Sequence, residues 1–142
     1  TDVNVISVGA VQWETNLLTG EWQELPPDWG FNPTVLFDGE IGVQAILAED
    51  MQNVQLKEPE RLEDSGLLYV VEGDVRGDRL RQMSAGLIAA EEVLMTLWVT
   101  PETFEPVQIL VTESVPDADE PRLWQVNFAE FGRVVEIEPP GE

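Results

Sequence analysis

The sequence contains neither cysteine nor histidine, and it has few basic residues. The missing cysteines exclude disulfides and thiolate nucleophiles, and the missing histidines exclude the commonest general base and the usual zinc sites. Seven basic residues stand against 28 acidic ones, which gives a formal charge of -21. Such a surface repels phosphate backbones and anionic headgroups, so we expect no nucleic-acid partner and no membrane binding through a basic patch. We interpret the excess of acidic residues as a feature that favours solubility, and the alternative is an acidic docking surface.

Long apolar runs and enzyme signatures are also missing. No segment approaches the ~20 apolar residues that span a bilayer, and residues 1–4 carry no signal-type sequence. The chain has no nucleophile elbow, P-loop or dinucleotide fingerprint. Acid pairs such as Glu91 and Glu92 are expected by chance among 28 acids, and the acidic turn at 117–120 lacks EF-hand spacing. We therefore predict a protein that is not an enzyme and that binds no metal or cofactor.

The chain is hydrophobic enough, at 43%, to form one domain with its own core. Apolar alternation and turn residues predict strands at 3–8, 11–16, 67–75, 93–100, 107–114, 122–131 and 134–137. Residues 25–33 and 57–65 are predicted to be loops. Asp38 is expected to begin one helix and Asp78 a second, each followed by apolar residues at helical spacing.

This order predicts an antiparallel α+β fold in which the helices lie on one face of the sheet. Alternation places Met95 and Leu97 on an apolar face and puts Trp98 and Trp124 on a mixed outer face. The helices and sheet either fill one plain core or leave a gap for an apolar ligand. Pattern alone favours the plain core, because apolar stripes are usually core.

The layout resembles the LppX/LprA/LprF/LprG family of mycobacterial-type lipid-carrier lipoproteins. The resemblance runs from about Val5 to Pro140: a hairpin at Val8-Gly9, a loop at Asn32-Pro33, two helix-bearing segments, and a final meander. It implies a curved antiparallel half-barrel with two helices on its concave face. It also implies an extracytoplasmic lipid-binding or lipid-transfer protein of the cell envelope, which holds an acylated lipid or glycolipid between sheet and helices.

With this resemblance, the favoured interpretation is that helices and sheet leave a gap between them for an apolar ligand. Combined with periodicity and layout, it predicts a lipid-binding lining from both helices and the sheet floor: Val43, Leu47, Met51, Tyr69, Val71, Leu80, Met83, Leu87, Met95 and Leu97. Family domains begin with a helix and further strands and carry a lipidated cysteine, so we expect residues 1–142 to be a single domain trimmed at its N-terminus. Its membrane anchor would then lie outside this sequence. The alternative is a non-catalytic interaction subunit of an envelope complex, which keeps the fold without a working cavity.

Overall fold

Antiparallel strands form two sheets in the computed structural model, which describes residues 2–26, 29–63 and 65–141. The first sheet contains β1 (Val5–Val8), β2 (Val11–Thr15) and β3 (Trp22–Glu24), in that order. The second sheet has five strands in chain order: β4 (Met51–Leu62), β5 (Gly66–Arg76), β6 (Glu92–Val99), β7 (Pro106–Glu113) and β8 (Arg122–Asn127). The predicted antiparallel α+β class is confirmed, and the five-stranded sheet is open rather than closed into a barrel. Its curvature into a half-barrel stays a prediction.

The helical part is smaller than the sequence predicts. A 3-10 turn (Pro33–Phe37) precedes α1 (Val43–Ala45), which continues as a π-helical turn (Ile46–Asp50), and α2 spans only Asp78–Met83. None of the helices among the described residues is long and apolar enough to cross a membrane.

The first helix begins later than predicted. Asp38 Oδ1 accepts hydrogen bonds from the backbone N–H groups of Glu40 (2.8 Å) and Ile41 (3.1 Å), and these donors lower the pKa of Asp38. They stabilise a turn, and the helix itself begins only after Gly42. Met51, predicted to lie on the helical stripe, is already extended (φ -80°, ψ 127°) and begins β4.

The second helix ends earlier than predicted. Ala85 and Gly86 both have positive φ, +52° and +79°, so the chain leaves the helix directly after Met83 and Ser84. Leu87 therefore lies outside α2 and is 49% exposed, contrary to its predicted place on the helical stripe. Ile88 is still buried, and its N–H donates to Ser84 Oγ at 3.2 Å.

Two further predictions are wrong. Residues 57–65 were expected to form a loop, yet most of them belong to β4, which pairs with β5 through two register shifts. The expected strand at 134–137 is irregular, and Val134 is 96% exposed. β4 is too exposed on both faces to show the alternation that identifies a strand from sequence. Residues 134–137 are apolar enough to suggest a strand, but they join neither sheet in the structure.

The main core lies between the helical segments and one face of the five-stranded sheet. Ile46, Leu80 and Met83 pack there with residues from the strands: Val75, Val93, Met95, Leu97, Ile109 and Val111. Gly73 lies on this face where β4 and β5 approach closely, and a Cβ there would stand 2.9 Å from the Gln52 carbonyl oxygen. Burying these side chains supplies most of the hydrophobic stabilisation, at about 25 cal/mol per Å².

A smaller cluster occupies the opposite face. Leu68, Val70 and Trp98 are buried together, and Trp98 Nε1 donates to Glu60 Oε2 at 2.8 Å. Trp98 thus lies on the outer face as predicted, but it is only 8% exposed. Trp124 is different: it packs against the main core, so its prediction as an outer-face residue is wrong.

Candidate functional site

An apolar cleft opens at one end of the main core, between the helical segments and the strand ends of β7 and β8. It has a volume of about 330 Å³. Its lining is aliphatic and aromatic, with Gln44 as the polar exception: Leu36, Phe37, Val43, Gln44, Leu47, Pro106, Phe128 and Phe131. Small-molecule sites commonly have volumes of about 300–1,000 Å³ and mostly apolar walls, so this cleft is at the small end of that range.

Three phenylalanines form one wall of the cleft. The rings of Phe37 and Phe128 meet edge to face with centroids 6.2 Å apart, and Phe128 and Phe131 stack at 6.5 Å. Phe37 is nevertheless 75% exposed and Phe131 is 45% exposed. Large apolar rings that remain exposed next to a cleft are a common feature of binding surfaces.

The same end of the sheet carries further apolar side chains. Strand register pairs Tyr69 with Val99, and Val99 with Pro106 of the cleft. Tyr69 is 38% exposed, and Leu56, which pairs with Val71 on the neighbouring strand, is 72% exposed. The helices therefore cover the end of this face near Val75 and leave the other end partly bare.

The ten predicted lining residues lie in four different places in the structure. Leu80, Met83, Met95 and Leu97 are all at most 7% exposed and pack together in the closed core. Val43 and Leu47 line the cleft, while Tyr69 and Val71 lie on the same sheet face at the end where the cleft opens. Met51 is half-buried at the core boundary, and Leu87 is exposed on the segment that follows α2.

Sequence reasoning missed most of the cleft. Leu36 and Phe37 lie in the 3-10 turn, and Phe128 and Phe131 follow β8 in irregular chain. The sequence predicted a strand at 122–131, but β8 ends at Asn127, so the strand pattern did not indicate where Phe128 and Phe131 lie. The available signal was composition: four of the five phenylalanines lie at 31, 37, 128 and 131, in two short stretches of the sequence.

Arg79 holds the helical cover together. Its guanidinium donates to the Glu40 carbonyl oxygen (2.8 Å), to Asp50 Oδ1 (3.1 Å) and to Glu49 Oε2 (2.6 Å). Glu49 and then Asp50 raise the pKa of Arg79 above its usual range. The side chain thus joins α2 to the segment that contains α1, and it fixes the position of Val43 and Leu47 indirectly.

Glu113 lies at the opposite end of the core from the cleft. Its carboxylate, 3% exposed, accepts hydrogen bonds from the N–H groups of Ala89 (2.8 Å) and Ala90 (3.0 Å). Trp124 Nε1 donates at 3.2 Å, and an Arg122 nitrogen lies 3.5 Å away. Burial alone would raise the pKa of Glu113, but these donors outweigh it and hold the pKa below its usual value. Because the Glu113 carboxylate binds donors from β8 and from the segment after α2, we assign it a structural role rather than a role in ligand binding.

Metal binding has no evident place in the part of the chain that the structure describes. No three acidic side chains within residues 2–26, 29–63 and 65–141 are arranged to hold a metal ion.

The fold is similar to that of a lipoprotein of known structure. The structure matches the crystal structure of the Mycobacterium tuberculosis lipoprotein LppX with a TM-score of 0.57 and 12% sequence identity. The match covers 90% of this chain and 66% of the LppX chain, so this chain spans less than two thirds of that relative. At this identity the likeness establishes the fold alone.

The sequence establishes the family. The family model of the LppX_LprAFG lipoproteins matches residues 1–137, and the chain therefore belongs to the LppX_LprAFG lipoprotein family. No curated protein matches the chain.

Proposed function

We propose that this domain is a non-enzymatic lipid-binding module outside the cytoplasmic membrane, which holds an acyl chain of a lipid or glycolipid and transfers it. The observation that carries the proposal is the apolar cleft beside Val43 and Leu47, in a chain that belongs to a lipoprotein family. In the same proposal, a lipid anchor outside the present sequence holds the protein at the membrane.

The acyl chain would begin in the cleft and continue along the bare end of the sheet face. Val43, Leu47, Phe128 and Phe131 would contact its first part, and Tyr69 and Val71 its continuation. Each CH₂ group buried contributes about 0.8 kcal/mol, so even part of a chain is held measurably. Leu80, Met83, Met95 and Leu97 would support this floor from the closed core rather than contact the lipid.

The polar part of the lipid would face solvent at the open mouth. The described cleft offers Gln44 as its polar side chain. A headgroup that stays in water needs no buried partner, so the proposal predicts selectivity for the acyl chain rather than for the headgroup.

A pair of tryptophan substitutions tests the site. Val43→Trp places an indole in the cleft, where it competes with the ligand, so affinity for a fluorescent fatty-acyl probe should fall at least about tenfold. Val54→Trp, at a position that is 55% exposed on β4, is the matched control and should bind the probe like the parent. Probe binding is read by fluorescence titration, and lipid carried from expression is identified by native mass spectrometry after extraction.

Two results would contradict the proposal. One is a parent protein that neither carries lipid nor takes up the probe. The other is a Val43→Trp protein that remains folded and binds the probe with undiminished affinity.

The interaction-subunit alternative would use the long edge strand β4. Ten of its twelve residues are exposed, and it is the first strand of its sheet. However, β4 contains Pro59, Lys57 and two register shifts, features that protect edge strands from pairing with other chains. This protection favours the lipid-binding proposal.

A further inference from the structure

The connection between β2 and β3 presents two leucines at the tip of a tight hairpin. Leu17 is 60% exposed and Leu18 is 96% exposed. The base of the turn is closed where the N–H of Asn16 donates to the Glu21 carbonyl oxygen at 2.8 Å. Two adjacent leucines at a convex tip cannot contribute to the core of this chain.

Most backbone N–H groups of this tip are hydrogen-bonded within the turn. Asn16 Oδ1 accepts from the N–H groups of Leu18 (2.9 Å) and Thr19 (3.2 Å), and the Asn16 carbonyl oxygen accepts from Gly20 (2.8 Å). Thr19 Oγ1 accepts from the N–H of Glu21 at 3.2 Å. Five of the six amides from 16 to 21 are therefore hydrogen-bonded within the turn, the exception being that of Leu17. Such bonds are common in exposed turns. They also lower the cost of entering a bilayer surface, where a free amide away from water costs several kcal/mol.

The tip itself is uncharged, although Glu14 and Glu21 flank it at the base of the hairpin. Residues 15–20 include no charged side chain, although 25% of the chain is charged. Trp22, 38% exposed, pairs with Thr15 at the base of the hairpin. Tryptophan beside a cluster of exposed aliphatic residues is typical of segments that lie at the interface between lipid and water.

We propose that the Leu17-Leu18 tip inserts into the surface of a zwitterionic lipid bilayer and docks the domain there. The exposed leucine pair on an uncharged tip and the tryptophan at the base of the hairpin favour a bilayer surface over a protein groove as the occupant. The net charge of -21 favours a zwitterionic bilayer over an anionic one, because anionic headgroups repel the rest of the protein. This docking does not require the cleft, and it gives the proposed lipid transfer a fixed point of contact with the membrane.

Co-sedimentation with phosphatidylcholine vesicles tests the proposal on the full 142-residue chain. The double substitution Leu17→Ser/Leu18→Ser should reduce the vesicle-bound fraction at limiting lipid about tenfold or more, because each leucine loses its burial in the bilayer. Val134→Ser/Val135→Ser removes two exposed aliphatic side chains from the irregular C-terminal segment, and it should bind like the parent. Binding to pure phosphatidylcholine should not weaken as salt is raised. Adding phosphatidylglycerol should weaken binding at low salt.

The outcomes separate this proposal from the lipid-binding site. The tip variant should keep its affinity for the fatty-acyl probe, since its leucines lie outside the cleft. A parent protein that does not sediment with vesicles, or a tip variant that sediments equally well, overturns the docking proposal. A parent protein that sediments with vesicles through its tip but does not bind the probe would contradict the proposed lipid-binding site and support the docking proposal. Unchanged melting temperatures of both double variants verify that the comparison is between folded proteins.

Discussion

Trp124 and Glu113 form a hydrogen bond from indole Nε1 to Oε2, 3.2 Å long, which joins β8 to β7 at the closed end of the core. The other carboxylate oxygen of Glu113 binds the N–H groups of Ala89 and Ala90. One carboxylate thus fixes two strands and the segment that follows α2. It keeps this end of the core closed, while the other end opens into the cleft.

Replacing Glu113 with alanine should lower the free energy of unfolding by about 2–4 kcal/mol. The change leaves three donors, from Ala89, Ala90 and Trp124, without their acceptor. A fully buried donor without a partner costs about 1–3 kcal/mol, and the total is smaller here because these three hydrogen bonds are only part-buried and water can reach the donors. Urea unfolding measures the effect. Glu63→Ala, at an exposed carboxylate, is the control and should change stability by less than about 0.5 kcal/mol.

The lowered pKa of Glu113 predicts that the protein loses stability in acid. The donors hold the pKa of Glu113 below its ordinary value of 4.5, so its contribution is complete above that value and is lost as the pH falls through the lowered pKa. Glu113→Gln removes this titration, so the difference in melting temperature between parent and variant should shrink as the pH falls from 7 to 3. A constant difference across that range would show that the carboxylate charge is unimportant.

Gly73→Ala should destabilise the protein by about 1–3 kcal/mol, the usual cost of excess volume in a packed core. The added methyl group would stand 2.8 Å from Met51 Cε and 2.9 Å from the Gln52 carbonyl oxygen. The methionine can move aside, but the carbonyl belongs to the β4 ladder. Gly39→Ala, where a Cβ meets nothing within 4 Å, is the matched control for thermal unfolding. Equal stability of the two variants would contradict the close approach of β4 and β5.

A tryptophan substitution should destabilise the protein at Leu80 and leave its stability nearly unchanged at Leu87. Leu80 is 2% exposed in the closed core, so the larger side chain should cost about 1–3 kcal/mol or more. Leu87 is 49% exposed beyond the end of α2, so Leu87→Trp should stay within about 0.5 kcal/mol of the parent. Thermal melts of the ligand-free proteins decide this. A strongly destabilised Leu87→Trp would mean that the helix continues further than Met83.

The strands of the main sheet could be predicted where one face is buried. Residues 93–99 alternate cleanly because Val93, Met95 and Leu97 face the core. β4 could not be predicted in the same way, since both of its faces are wet and only its hydrogen bonds with β5 make it a strand. Pairing with β5 is a tertiary interaction, and it makes a strand of residues whose composition is typical of a loop.

The candidate site was predictable only in part, and for a related reason. Val43 and Leu47 were found because four-residue spacing survives even in a short helix with a π turn. Leu87 was misplaced because Ala85 adopts a positive φ that its residue type gives no reason to expect. The phenylalanine wall was missed because Phe128 meets Phe37 across about ninety residues of chain, a contact that no local pattern encodes.

The strand order of the larger sheet has a consequence for how the chain folds. Each strand from β4 to β8 pairs with its neighbour in sequence, so no long loop must close before the first hydrogen bonds form. Local pairing keeps the entropic cost of each step small, and hairpins form within about 1–10 μs. The sheet can therefore begin at the hairpins β4–β5 and β6–β7, whose connections are only residues 63–65 and 100–105, and these hairpins join when the longer connection 77–91 closes. The pairing of β5 with β6 then continues without a register shift from Tyr69 to Arg76. Amide hydrogens of these two strands should be the last to exchange with solvent.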